Sequence, residues 1–206
     1  MNYLEEYTKI FEGGGFFRNG VPVTVKEIRP FDGGGFQCVM QTFLEELAHR
    51  ESVTVLDYGC GDATHWHRRV LAKQSLPEIM GLKLSGFYRY DPCYSRFSKK
   101  PEGKFDFIIC SDVLEHIPEE EVPAFLRGIN SYAKADSVIF YSISTQLSHN
   151  VFADGTNMHI TLKSPEWWLQ TIEDNAVCKN LSIFDHSGGA KWFPRNTGIS
   201  PYPFSE

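Results

Sequence analysis

The sequence predicts an α/β fold: a single domain built on a doubly wound, mostly parallel sheet and closed by an antiparallel C-terminal hairpin. Three observations predict it. From Val53 onward, apolar runs of strand character alternate with segments of helical pattern. The first of these runs, Val53-Thr54-Val55-Leu56-Asp57, ends in the tight glycine turn Tyr58-Gly59-Cys60-Gly61-Asp62. A length of 206 residues with 42% hydrophobic and 14% aromatic content suffices for one well-buried core and not for two domains of ordinary size.

Taken in order, residues 1–50 read as a helical and glycine-rich extension, a candidate lid over a main unit at 51–206. The extension holds a short helix near Asn2 to Phe11 and a second from about Phe36 to His49. Between them lie the stretches Gly13-Gly14-Gly15-Phe16 and Gly33-Gly34-Gly35-Phe36, which lack the strand-turn-helix setting of a phosphate loop. The main unit is then predicted as strand 53–57, helix 63–74, strands 84–90 and 105–110, helix 119–134, strand 137–143 and helix 165–175. A last pair near 180–186 and 190–194, turned at Ser187-Gly188-Gly189, closes the sheet edge. Ser164 is placed as an N-cap with Pro165 at the first helical position, and Glu119-Glu120-Glu121 as first-turn charges.

Composition narrows the setting. A net charge of −6 and a pI near 5.7 disfavour broad contact with a nucleic-acid backbone, which needs clustered basic surface, and pairs such as Arg68-Arg69 and Lys99-Lys100 are too short to reverse this. The five cysteines, Cys38, Cys60, Cys93, Cys110 and Cys178, are widely spaced and read as reduced thiols of a cytoplasmic protein. The first residues are acidic and lack the apolar core of a signal peptide, and no apolar run reaches the length of a membrane span. No metal is expected: there is no C-x-x-C pair, and His65 and His67 fall two apart on a predicted helix, where they face different directions and suit exposed or capping roles.

Three segments carry the functional reading. Asp57-Tyr58-Gly59-Cys60-Gly61-Asp62-Ala63 joins a strand to a helix start. Gly86-Phe87-Tyr88-Arg89-Tyr90-Asp91-Pro92 is a second strand ending in an acid. Phe105-Asp106-Phe107-Ile108-Ile109-Cys110-Ser111-Asp112-Val113-Leu114-Glu115-His116-Ile117-Pro118 is a third strand running into a V-L-E-H turn. In this order they resemble the motifs of class I S-adenosylmethionine-dependent methyltransferases, enzymes with a Rossmann-like fold, and they are most similar to the short members found in bacteria and phages. Alanine at Ala63 replaces the third glycine of many members, a mild change. The resemblance implies a cofactor site made by Asp57, Gly59, Cys60, Gly61, Asp91, Pro92, Cys110 and Ser111, with Asp91 taking the two ribose hydroxyls. Two departures stand out. The distance from Asp57 to Asp91 exceeds by some ten residues the roughly twenty expected, which predicts an extra turn within Lys73 to Ser85. Only about a dozen residues separate Asp91 from Phe105, so a strand and a helix that would contact adenine are missing, and Cys93, Tyr94 and Phe97 lie where the base is expected.

Methyl transfer requires alignment of an acceptor behind an activated methyl and, where the acceptor carries a proton, a group to take it. His159, His116 and Asp112 are the candidate catalytic residues. Asp112 also fits a helix N-cap with Glu115 completing a capping box, and His116 also fits a packing role. The polar loop from Gln146 to Lys163 is long for a compact domain and leaves the same rim of the sheet, so it is placed over the acceptor. Within it Asn157 and His159, two apart, point the same way if the segment is extended. Asn157 and Trp167 are the candidate substrate contacts, and of Trp167 and Trp168 one is expected in the core. The implied reaction transfers a methyl group from S-adenosylmethionine to an oxygen or nitrogen of a small molecule, for instance a sugar or sugar nucleotide. A methyltransferase acting on RNA, DNA or protein, and a non-catalytic cofactor-binding module of the same fold, remain as alternatives.

Overall fold

The computed structural model describes residues 2–28, 31, 36, 40–67, 78, 81–176, 180–185 and 190–192. The stretch Gly33 to Gly35, Cys38, Cys178, Arg68-Arg69, the predicted helix beyond His67, most of the Lys73 to Ser85 insertion and the Ser187-Gly188-Gly189 turn lie outside the described residues.

Strands of near-continuous β-branched and aromatic character build the centre. They are β3 (Val53–Tyr58), β4 (Leu84–Tyr90), β5 (Phe105–Ser111), β6 (Ala133–Ile143), β8 (Asn180–Asp185) and β9 (Ala190–Trp192), preceded by β1 (Gly15–Arg18) and β2 (Val21–Thr24), with β7 (Asn150–Val151) between β6 and β8. The main sheet runs β4-β3-β5-β6-β8-β9. Its first five strands are parallel and β9 is antiparallel to β8, as the hairpin expectation requires. The chain therefore has the mixed α/β, Rossmann-like architecture predicted for it.

Both faces of this sheet are covered, which is why its central strands carry buried residues in unbroken runs instead of strict alternation. On one face Leu56, Ile108, Ile139 and Tyr141 pack against Leu126 and Ile129 of α3 (Val122–Asn130) and Trp168 and Ile172 of α4 (Pro165–Asn175). On the other, Val55, Phe107, Ile109 and Phe140 pack against Phe43 and Leu47 of α2 (Met40–Ala48) and against Trp66. Asn130 ties the two helices of the first face together, donating from Nδ2 to the carbonyls of Leu126 and Asn175 at 2.8 and 2.9 Å. Ser164 caps α4, its Oγ accepting from the Trp167 N–H, and Pro165 opens the helix. Trp168 is the core member of the tryptophan pair, while Trp167 is half-buried with the Lys163 ammonium 5.3 Å from its ring centre.

Three expectations need correction. The segment after the glycine turn starts as a 3-10 turn, Thr64–His67, because Ala63 sits at φ +56° and cannot open an α-helix. Glu119–Glu121 also form a 3-10 turn, so α3 begins only at Val122, with Pro123 in its first turn. The strand predicted at 137–143 reaches back to Ala133, since Phe105 of β5 pairs there across a register shift.

The N-terminal elements were legible as a helix only in part. The helix α1 (Tyr3–Phe11) is capped by Asn2, and β1 pairs antiparallel with both β2 and β7. This small sheet has its own core, Ile10, Phe16, Phe152 and Met158, with Tyr3, Tyr7 and Phe31 packed beside it. The chain's beginning and the loop after β6 thus fold together into a cap. Helix α2, by contrast, belongs to the main sheet.

Removing the largest buried side chain of the α3–α4 face tests this packing. Trp168→Ala is expected to cost about 3–5 kcal/mol in urea unfolding, whereas Val21→Ala, at a 58% exposed position, should change stability by less than about 0.5 kcal/mol.

Candidate functional site

The parallel strands β3, β4 and β5 bring Tyr58, Tyr90 and Ser111 to one rim of the sheet, where an open α/β sheet binds its ligands. The turn leaving β3 is held by its neighbour. The Tyr90 carbonyl accepts from the N–H groups of Gly59 at 2.7 Å and Cys60 at 3.2 Å. Asp91 continues the stitch: its Oδ2 accepts from the Gly61 N–H at 2.9 Å and its Oδ1 from the Cys93 N–H at 2.8 Å. Burial pushes the Asp91 carboxyl upward, and the N–H groups of Cys93, Gly61 and Tyr94 pull it back.

Glycine is required at both turn positions. Gly59 lies at φ +82° and a Cβ there would run into the Val113 side chain; Gly61 lies at φ +56° and a Cβ would strike the Phe31 carbonyl. That carbonyl accepts from the Asp62 N–H at 3.1 Å, so the cap rests directly on the turn. Ala63, expected to be a mild replacement for glycine, takes up the left-handed conformation at φ +56°, which a methyl-bearing residue adopts only against steric resistance.

Asp57 differs from the expected picture. Its Oδ2 accepts from the Trp66 indole N–H at 2.5 Å and lies 3.7 Å from His65 Nε2. The carboxylate is turned into the protein and fixes the 3-10 turn from beneath. Burial raises its pKa to about 7, against the lowering effect of the Trp66 bond, and Asp91 pushes it further. His65 is 6% exposed, which removes the exposed one of the two roles, exposed or capping, expected for it.

Beyond Asp91 there is no strand in 92–104, as the short spacing predicted; a 3-10 turn, Ser95–Phe97, folds back so that the Asp91 N–H donates to the Phe97 carbonyl at 3.1 Å. Pro92 is exposed, and Cys93 is buried with its thiol raised to about 12 by burial and by Asp91. Tyr94 packs, with tilted rings, against Phe97 and against Phe11 of the cap, ring centres 5.6 and 5.1 Å away, and Arg89 lies 4.6 Å from the Phe97 ring centre. An aromatic cluster therefore flanks Asp91. Among the described residues, Cys60, Cys93 and Cys110 are free and buried.

The third strand end supplies the other half of the rim. Ser111 and Cys110 are buried, and Asp112 takes φ +55°, its N–H donating to the Ser142 carbonyl at 2.8 Å. The capping box expected between Asp112 and Glu115 does not form. Only a 3-10 turn, Leu114–His116, follows, with Val113 at its N-cap position, and Glu115 Oε1 instead accepts from the Ser144 N–H at 2.8 Å.

Two histidines meet here. The rings of His116 and His159 stand edge to face at 4.8 Å. His116 Nδ1 lies 2.8 Å from the Met158 carbonyl and 2.7 Å from the Tyr7 hydroxyl of α1. His159 Nδ1 lies 2.6 Å from the Gln146 carbonyl. Burial, with the His159 ring beside it, lowers the pKa of His116 to about 3, so its imidazole is neutral at physiological pH. Asn157 locks the loop: its Oδ1 accepts from the N–H groups of Ser148 and His159, and its Nδ2 donates to the Ser148 carbonyl. Its amide is spent on positioning His159. The meeting of Glu115, His116 and His159 was not legible in the sequence, because forty-odd residues separate the last two; only the shared placement of the V-L-E-H turn and the loop on one rim hinted at it.

A methyltransferase-domain family model matches residues 35–203. With the glycine turn and Asp91 on adjacent strand ends beneath it, this chain belongs to the class I S-adenosylmethionine-dependent methyltransferase family, and it is a methyltransferase by that membership. Comparison with curated proteins and with solved structures found no match. Among the described residues no helix is long and apolar enough to cross a membrane.

The raised Asp57 carboxyl makes a stability prediction. The folded protein holds a proton on this group that the unfolded chain, titrating near 3.8, has released. Its charged form is penalised fully above pH 7, and the penalty fades as pH falls from about 7 to about 4. Urea unfolding should therefore show Asp57→Asn gaining stability over the parent at pH 8 relative to pH 4.5; an unchanged difference would contradict the assigned burial.

Proposed function

We propose that this chain transfers a methyl group from S-adenosylmethionine to an oxygen or nitrogen of a small molecule, with sugars and sugar nucleotides as the first acceptor class to examine. The observation that carries the reading is the junction of Asp91 with the glycine turn: a buried carboxylate bonded to Gly61 N–H at the ends of two adjacent parallel strands. The residues there fit the donor. Gly59 and Gly61 leave room that a Cβ would fill, and Asp91, which takes the N–H groups of Gly61, Cys93 and Tyr94, keeps a lone pair for a ribose hydroxyl. Tyr94, Phe97 and Phe11 offer ring faces for a flat base, in place of the missing strand. Asp57 acts by fixing the turn, and Cys110 and Ser111 form the floor toward the acceptor side.

S-adenosylmethionine, when bound, supplies a methyl group activated by its positively charged sulfur. Held by Asp91 and the glycine turn, the donor would offer that methyl to an acceptor lone pair, and its sulfur would keep the electron pair of the broken carbon–sulfur bond. His159 takes the acceptor's proton on Nε2, since the acceptor-only carbonyl of Gln146 keeps the ring proton on Nδ1. From there the proton passes to solvent. His116, held neutral with a pKa near 3, is a poor proton acceptor and orients the site instead. A small acceptor is supported by the cap, which covers the rim from α1 to the Gln146–Lys163 loop, and by exposed Glu120 and Glu121 beside it, which would repel a polyanion. Soluble, cytoplasmic work is part of the same reading.

Calorimetry with S-adenosylhomocysteine is expected to give micromolar affinity that weakens at least about tenfold in Asp91→Ala; absence of binding to the parent protein would overturn the reading. With an acceptor in hand, His159→Ala is expected to lower turnover by about a hundredfold or more while leaving donor affinity nearly unchanged. Equal loss of both would remove His159 from proton transfer.

A further inference from the structure

We propose that Glu115, His116 and His159 form a binding site for one divalent transition-metal ion of the Zn²⁺ or Co²⁺ type, placed on the acceptor side of the rim. One ligand atom from each of these residues lies within 4.8 Å of the other two. Tetrahedral ligands at about 2.1 Å from one ion stand about 3.4 Å apart, so binding would draw the widest pair together by up to about 1.4 Å. Two imidazoles and one carboxylate are the donor set that such ions favour over Mg²⁺ or Ca²⁺, which prefer all-oxygen cages.

The tautomers are already those a metal needs. A backbone carbonyl only accepts, so the Met158 carbonyl at 2.8 Å fixes the proton of His116 on Nδ1, and the Gln146 carbonyl at 2.6 Å does the same for His159. Both rings are left with a lone pair on Nε2. An Nδ1–H bonded to a backbone carbonyl is the usual outer support of a metal-bound histidine. The Tyr7 hydroxyl, which donates to the Met158 carbonyl at 3.3 Å, supports the same tautomer.

The three residues are also held in place independently of any ion. Glu115 is fully buried, its Oε1 fixed by the Ser144 N–H. The Thr161 N–H donates to the Glu115 carbonyl at 3.0 Å, and the Thr161 hydroxyl to the Ile117 carbonyl at 2.6 Å, so the segments bearing the two histidines are laced together. Asn157 fixes the His159 backbone from the other side. An ion bound there would neutralise the buried Glu115 carboxylate.

This site deepens the acceptor-side part of the proposed reaction and rests on it for its use, not for its existence. An ion held there would polarise an acceptor hydroxyl and ease loss of its proton to solvent, in which case His159 acts through the ion. The acceptors favoured would be those offering oxygen to a cation, such as vicinal diols or catechol-like hydroxyls.

The test uses the untagged full-length protein, because a polyhistidine tag would itself take up the probe. Co²⁺ is titrated in the absence of donor and acceptor, followed by calorimetry and by visible d–d absorption, and S-adenosylhomocysteine is titrated in parallel. One Co²⁺ per chain with an imidazole-type visible spectrum is expected, weakened about a hundredfold or more in His159→Asn and in Glu115→Gln, the second of which keeps an oxygen for the Ser144 N–H. Circular dichroism of each variant establishes that it is folded; a Glu115→Gln protein that fails to fold leaves His159→Asn, at a half-buried position, to decide. No Co²⁺ uptake by the parent, or uptake unchanged in folded His159→Asn, overturns the proposal. S-adenosylhomocysteine binding without Co²⁺ uptake rejects the metal site and leaves the methyltransferase reading intact, and the converse result supports the metal site while rejecting that reading.

Discussion

The rim is organised by one junction, the meeting of the Asp91 carboxylate with the backbone of the glycine turn. A parallel pair of strands leaves its last N–H groups without ladder partners, and here Tyr90 and Asp91 supply them for Gly59, Cys60 and Gly61 in succession. The turn is thereby given its positive φ angles, and the left-handed backbone in turn demands glycine. Holding an ionisable carboxyl at 8% exposure is expensive, and the backbone donors Gly61, Cys93 and Tyr94 offset much of that cost. Asp57 meets the same difficulty one strand over by taking the indole N–H of Trp66. The two acids divide the labour: one braces the turn from the core side, the other faces the rim.

A second constraint is the cap. Its hydrophobic core joins α1 and β1 to residues drawn from the loop after β6, so the beginning of the chain and residues 150–158 order one another. The cap reaches the rim at both ends, through Phe31 on the Gly61 turn and through Tyr7 on His116. Burial beneath it explains why the ionisable groups of this region depart from their ordinary behaviour: the Tyr7 hydroxyl is pushed upward, and His116 downward to about 3. Such clustering of perturbed groups in one enclosed place is characteristic of sites that perform chemistry.

Much of this was legible in the sequence, and the reasons are local. Strand limits at Val53, Leu84 and Phe105 follow from β-branched and aromatic runs stopped by glycine or proline, and α4 follows from Ser164-Pro165 at its start. The glycine turn and Asp91 could be paired because each closes a predicted strand of one parallel sheet and so falls on its rim, and the shortfall after Asp91 correctly foretold the missing strand. What local pattern could not supply was the partner chosen by each polar side chain. Asp112 and Glu115 have capping-box spacing, yet Ser144, brought in by sheet register, takes Glu115. Asp57 looks like a rim acid and is instead claimed by Trp66, nine residues on. The β1–β2–β7 sheet was missed because β7 is two residues long and pairs across more than a hundred residues. The apposition of His116 and His159 is likewise a product of topology.

The central claim is that the junction of Asp91 with the glycine turn is a methyl-donor site. A crystal structure of the protein grown with saturating S-adenosylhomocysteine tests it most directly. The account predicts the ligand on the strand-end rim, its ribose hydroxyls within hydrogen-bonding distance of Asp91, its base against Tyr94 or Phe97 and its sulfur directed toward His159. A rim left empty at saturation, or ligand bound elsewhere on the molecule, would contradict it.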